Sequence, residues 1–187
     1  MKKLMMLCFT ASFGLGCLTV LLYKQCDSGL LFSLAVTFFT TFYHIAMRLV
    51  VGGLTPVFRR HCREKDVSPF YISDKEAAFY KMIQIKQWKR HAPTYNKKLF
   101  DISDNSYAAL CHNMANAQIG HGTMAILSFV PLLFSNAVDG FWPFFLTSVL
   151  AALFDMQFVM IQRYNRARIS RIWGYRNKQA ESISEQH

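Results

Sequence analysis

The sequence predicts an all-α integral membrane protein: a four-helix bundle with an amphipathic, interfacial segment on its cytoplasmic side. Three observations carry this. The 187 residues are 52% hydrophobic and only 17% charged, against about a quarter charged in soluble domains. The apolar residues gather into four stretches, each long enough to cross a hydrocarbon core of about 30 Å. The 21 Lys and Arg, which with 11 acids give a formal net charge of +10, lie almost wholly outside those stretches. Such hydropathy excludes a disordered chain, and the length suits one membrane domain over residues 1–187.

The first stretch, 4–23, is uncharged. Lys2 and Lys3 before it resemble the start of a secretory leader. The run is longer than a leader's apolar core, though, and no A-x-A site follows, so a retained helix is expected. The second, 29–58, is interrupted only by His44 and Arg48. Its Gly52-Gly53-Leu54-Thr55-Pro56 is expected to stop the helix. The third, 107–134, is polar in its first half and apolar in its second. Ala117, Gly120 and Gly122 there are expected to let a neighbouring helix approach closely. The fourth, 141–161, opens on Trp142-Pro143 and contains a single charge, Asp155; an interfacial aromatic and a first-turn proline suit a helix start.

The cations set the topology. Eleven lie in segment 59–104 and six in the tail 163–187, whereas the connections 24–28 and 135–140 offer only Lys24. By the positive-inside rule both termini are cytoplasmic and the protein is multi-pass in the cell membrane. The charge thus records orientation, and no nucleic-acid partner is expected. Within the central segment, Ala77 to Trp88 mixes apolar residues with lysines and reads as either a surface-lying helix or a strand-like stretch.

The cysteines (Cys8, Cys17, Cys26, Cys62, Cys111) form no CxxC pair, so neither a disulfide framework nor a metal site is predicted. His61 and Asp66 match the H-x4-D spacing of glycerol-phosphate acyltransferases. They stand in a charge-dense loop and are read as a solvated charge run.

Ionisable residues inside spans are costly and mark sites or pathways. Thr37, Thr41, His44 and Arg48 share one face of the second span. They read as a cationic stripe for an anionic group, or as an arginine snorkelling to the boundary. In the third span Gln118 and His121 share a sector, with His112 pointing away. In the fourth, Asp155, Gln162 and Arg166 share a face. An isolated carboxylate in hydrocarbon must protonate or find a cation, and its natural partners are His121 and Arg48.

Two motifs are more specific. Lys86-Gln87-Trp88-Lys89-Arg90 precedes Leu99-Phe100-Asp101, and Gln162-Arg163-Tyr164-Asn165-Arg166-Ala167-Arg168 follows the last span. With Ala117-Gln118-Ile119-Gly120-His121, these resemble the glycosyl-4,4'-diaponeurosporenoate acyltransferase family of bacterial membrane proteins, over roughly residues 80–172. The resemblance implies transfer of a fatty acyl group to a sugar hydroxyl of a glycosylated isoprenoid lipid. Acyl-CoA or another acyl donor would be co-substrate, membrane lipids the surroundings, and no further cofactor is needed. The chain departs from the family pattern at Gln118, where the family has Glu, at Asp155, where it has Asn, and at Ala167, where it has Pro. Gln118 and Asp155 are therefore expected to face one another, keeping a His–carboxylate pair across helices.

Acyl transfer to a hydroxyl needs a base and donors for the developing oxyanion. Imidazole titrates closest to neutrality, so His121 is the expected base, Asp155 its orienting partner, and Gln118, Asn165 or Tyr164 oxyanion donors. Lys86, Trp88, Lys89, Gln162, Arg163, Arg166 and Arg168, with His44 and Arg48, are candidates for binding donor and acceptor. The rival reading is a non-enzymatic lipid-binding or assembly subunit, in which His121 is tightly packed.

Overall fold

A computed structural model describes residues 2–61, 72–87, 97–101, 103–138 and 140–184. Among these residues the main α-helices are α1 (Lys2–Cys26), α2 (Gly29–His61), α3 (Asp74–Met82), α4 (Tyr107–Leu127) and α5 (Phe141–Ser184). Short 3₁₀ helices cover Lys97–Phe100 and Val130–Ala137. No strand occurs among the described residues; of the Ala77–Trp88 stretch, Ala77 to Met82 is helical, Ile83 and Gln84 turn, and Trp88 lies outside the described residues. Four helical stretches are long and apolar enough to span a membrane: Lys3–Cys26, Gly29–Leu54, Tyr107–Ala137 and Phe141–Trp173. Their outward faces carry Leu4, Leu7, Leu21, Leu30, Leu150 and Leu153, an arrangement that costs nothing in lipid and a great deal in water.

Helix ends differ from expectation in three places. The glycines and Pro56 do not stop α2, which runs on to His61; a proline within a helix removes only one of its hydrogen bonds. The third span is α-helical only to Leu127 and then tightens to 3₁₀, with Pro131 near its start. The basic tail is not a separate element, because α5 continues through it to Ser184; Arg, Gln, Ala and Glu are all good helix formers.

Contacts divide the chain into two compact units, Met1–Thr55 with Gly120–Met156 and Pro56–Ile119 with Gln157–His187. In the first, α1 and α2 meet across a two-residue turn. Asp27 (φ 45°) adopts the left-handed conformation there, which Asp tolerates better than most residues, and its N–H reaches Tyr23 O at 2.8 Å. Phe9 and Phe13 pack on Phe42, and Phe13 meets Phe39 edge-on. A Cβ on Gly16 would stand 3.2 Å from the Phe39 ring, whereas one on Gly120 or Gly122 would meet nothing within 4 Å. The close approach expected at Gly120 and Gly122 is therefore found at Gly16 instead. Met47, Val51 and Met124 form a small core, beside which the Tyr43 hydroxyl donates to Leu127 O at 3.0 Å.

In the second unit, Leu110, Met114 and Ile169 pack together, and Tyr107 stacks on Trp173 while its hydroxyl meets Ser170 at 3.0 Å. A second cluster gathers Tyr80, Ile85 and Ile161. Ser73 caps α3, accepting from Glu76 N–H at 3.2 Å.

Candidate active site

Asp155 is fully buried in the first unit. Its Oδ2 accepts from Arg48 Nη2 at 2.5 Å and its Oδ1 lies 3.1 Å from His121 Nδ1. The expected partners of the carboxylate are both present. Arg48 comes from α2, one turn beyond His44; its Nη1 donates to His44 O at 2.9 Å and its Nη2 also to Ala151 O at 3.0 Å. Its guanidinium carbon stands 5.5 Å from the centre of the Phe154 ring. A planar fork with five donors can satisfy two helices at once. The arginine therefore does not simply snorkel to the boundary.

The tautomer of His121 follows from this geometry. A carboxylate already paired with a guanidinium only accepts, so Nδ1–H must be the donor to Asp155, and Nε2 becomes the basic nitrogen of the ring. The His121 side chain is 28% exposed against none for Asp155. The carboxylate is thus sealed while the imidazole is partly exposed, the division needed for one group to orient and the other to meet a reactant.

Two neighbours on the same faces lack partners. His44 is buried and neither ring nitrogen has a hydrogen-bond partner; Ser148 Oγ is fully buried and likewise has none. Ser12, Thr19, Thr40, Ser128 and Thr147 all donate to carbonyls of their own helices. Ser148 departs from this habit. Thr37 and Thr41 of the expected stripe bond their own turns at 2.7 Å, while Thr40, four residues before His44, is buried.

The second unit holds another polar group. Glu76 receives Arg163 Nε at 2.5 Å and Nη2 at 2.7 Å, a two-pronged pair, and the Tyr80 hydroxyl as a third donor. These bonds, Arg163's first among them, hold the Glu76 carboxyl below its ordinary range. Burial, reinforced by the neighbouring carboxylate, pushes the Tyr80 hydroxyl up to about 12. Arg163, a candidate for binding substrate, is thus committed to Glu76. Asn113 Nδ2 donates to Leu99 O at 2.8 Å, whereas the amide of Asn116, Gln162 Oε1 and Asn165 Oδ1 are buried without partners.

Of the remaining candidates, Gln118 is half-buried one turn before His121, and the bonds described for Asp155 come from Arg48 and His121. Tyr164 is half-buried, Arg166 buried, and Lys86 and Arg168 exposed. Trp88 and Lys89 lie outside the described residues. Sequence reasoning missed Glu76, Tyr80 and Ser148. Only the first had a signal: Ser73 and Glu76 at the spacing of a helix capping box. No group of three His, Cys, Asp or Glu that could hold a metal occurs among the described residues.

The fold and site define a helical protein with four membrane-length spans and an Arg–Asp–His constellation built on a buried carboxylate. The model of the glycosyl-4,4'-diaponeurosporenoate acyltransferase family matches residues 56–174, well over half of the chain, and the chain belongs to that family. No curated protein and no solved structure matches it.

Proposed function

We propose that the chain transfers a fatty acyl group to a hydroxyl of a glycosylated isoprenoid lipid, with His121 as general base. It works in the cell membrane as a multi-pass protein, with both termini cytoplasmic. The observation that carries the reading is the 3.1 Å contact of His121 Nδ1 with a buried carboxylate that Arg48 holds in place. Nε2 takes the proton of the acceptor hydroxyl as its oxygen attacks the acyl carbonyl. The proton then passes to the leaving group, and Asp155 stabilises the imidazolium between the two transfers. Asp155 touches no reacting atom and is a positioning residue. The donor is an acyl thioester such as acyl-CoA, and direct transfer fits the absence of a Ser or Cys nucleophile motif in the sequence.

The partial exposure of His121 beside a fully buried carboxylate favours this reading over a purely structural role. The test is lipid analysis of cells expressing wild-type protein or His121→Ala at matched membrane levels. A general base contributes about 10²–10⁴-fold, so the acylated glycolipid should fall below detection in the variant. Identical profiles would refute the assignment and favour an assembly or lipid-binding subunit.

A further inference from the structure

A cavity of about 530 Å³ lies in the first unit, lined by α1, α2, the 3₁₀ segment and the start of α5. Val20, Phe32, Val36, Tyr43, Pro131 and Phe144 are among its walls, which are hydrocarbon and ring almost throughout. Lys24 lines one end with its stem and is itself exposed, as snorkelling lysines are. At the other end stand Thr40 and Tyr43.

Both helices that wall the cavity lead from it to the carboxylate. On α2, Val36, Thr40, His44 and Arg48 follow at intervals of four and share a face; on α5, Phe144, Ser148 and Asp155 do the same at four and seven. Each stripe starts apolar in the cavity and ends at the Arg48–Asp155 pair. Between these extremes stand the His44 ring and the Ser148 hydroxyl, both buried and both without hydrogen-bond partners. Unpaired buried donors are rare and call for an occupant.

We propose that the cavity takes the hydrocarbon chain of an acyl substrate, tail towards Phe32, with its carbonyl end against His44 and Ser148. The proposal rests on the acyl-transfer reading and specifies its donor site. A ring N–H and a hydroxyl are two uncharged donors, which suit a carbonyl oxygen. A phosphate would need a cation, and Arg48 is engaged with Asp155 and two backbone carbonyls. Phe32 and Tyr43 are eleven residues apart, about 16 Å along a helix. A zigzag of ~1.5 Å bonds advances about 1.3 Å per carbon, so the cavity accommodates roughly a dozen methylenes. Val36 stands about two turns from Tyr43, and a larger side chain there would shorten the room to roughly eight carbons.

The experiment uses the full-length protein in nanodiscs and a sixteen-carbon acyl thioester carrying a diazirine at its terminal carbon. Wild type should be labelled in the 3₁₀ segment or around Phe32. Val36→Phe should lose that label, and in turnover it should retain an eight-carbon donor while the sixteen-carbon one drops about tenfold or more, because methylenes kept out of an apolar site forfeit affinity. Val36→Leu, a milder extension, is measured in parallel should the phenylalanine variant not fold, with a smaller loss of the same sign. Equal labelling of wild type and both variants, or labelling elsewhere, overturns the proposal. So does displacement of the probe by excess phospholipid as effective as by an untagged sixteen-carbon thioester, which would make the occupant a structural lipid. Labelling as described with no acylated product from any donor would uphold the cavity and sink the transfer reading alone.

Discussion

Replacing Arg48 by methionine keeps most of the side-chain volume but strips a buried carboxylate of its cation. Asp155 is fully buried and receives Arg48 Nη2 at 2.5 Å, and the same guanidinium also bonds His44 O and Ala151 O. Removing one member of a buried pair costs about 3–5 kcal/mol, because the other charge is left without compensation. For a chain of this size each kcal/mol moves the melting temperature by about 2–4 °C, so Arg48→Met should lower it by roughly 6–20 °C. Asp155→Asn in the same background removes the orphaned charge, and a doubly neutral site is expected within about 1 kcal/mol of wild type. The assay is size-exclusion chromatography of detergent-solubilised protein after heating, applied to wild type, both single variants and the double variant. A coupling of about 3 kcal/mol is expected. If the double variant melts no higher than Arg48→Met, the cation does not hold the carboxylate, and the tautomer assigned to His121 loses its basis.

Other expectations concern regions away from that pair. The folded-state pKa of Glu76 lies below its unfolded value, chiefly through Arg163. The pair therefore contributes fully above the ordinary carboxylate pKa of about 4.3 and fades as pH falls through the lowered value. Glu76→Gln should cost about 1.5–3 kcal/mol at neutral pH and flatten the acid limb of melting temperature against pH; superimposable acid limbs would contradict the pairing. Tyr80→Phe removes a donor to that carboxylate and should cost about 1–2 kcal/mol. Since the hydroxyl titrates only near 12, the loss should be constant from pH 6 to 9, as thermal melts across that range would show. Gly16→Ala sets a Cβ 3.2 Å from Phe39 and should destabilise by about 1 kcal/mol. Gly14→Ala, with nothing within 4 Å, should be neutral or stabilising by up to about 1 kcal/mol; equal melting temperatures for the two would refute the close contact.

The spans were legible because hydropathy accumulates over twenty residues and tolerates local irregularity. Their ends were not. Pro56 after two glycines reads as a stop by local chemistry, yet α2 continues, since the cost of one lost bond is small beside a helix of 33 residues. The Arg48–Asp155–His121 constellation was legible for an electrostatic reason: charged groups in hydrocarbon have few companions and must find one another. Glu76 and Arg163 are 87 residues apart in segments dense with charge, where the sequence does not single out which acid pairs with which base, so that contact had no signature. Ser148 was invisible for the opposite reason, since serines in spans ordinarily bond their own helix and attract no notice.

Arg48 and Asp155 are separated by 107 residues. Chains emerge from the ribosome at about 5–20 residues per second, so Arg48 waits on the order of 5–20 s before its partner exists. The α1–α2 hairpin, with its two-residue turn, can insert on its own in that interval, but with an arginine that has no counter-charge. The counter-charge, Asp155, is supplied only when α5 arrives. A chain truncated before residue 155 would keep three apolar spans and carry Arg48 without its counter-charge.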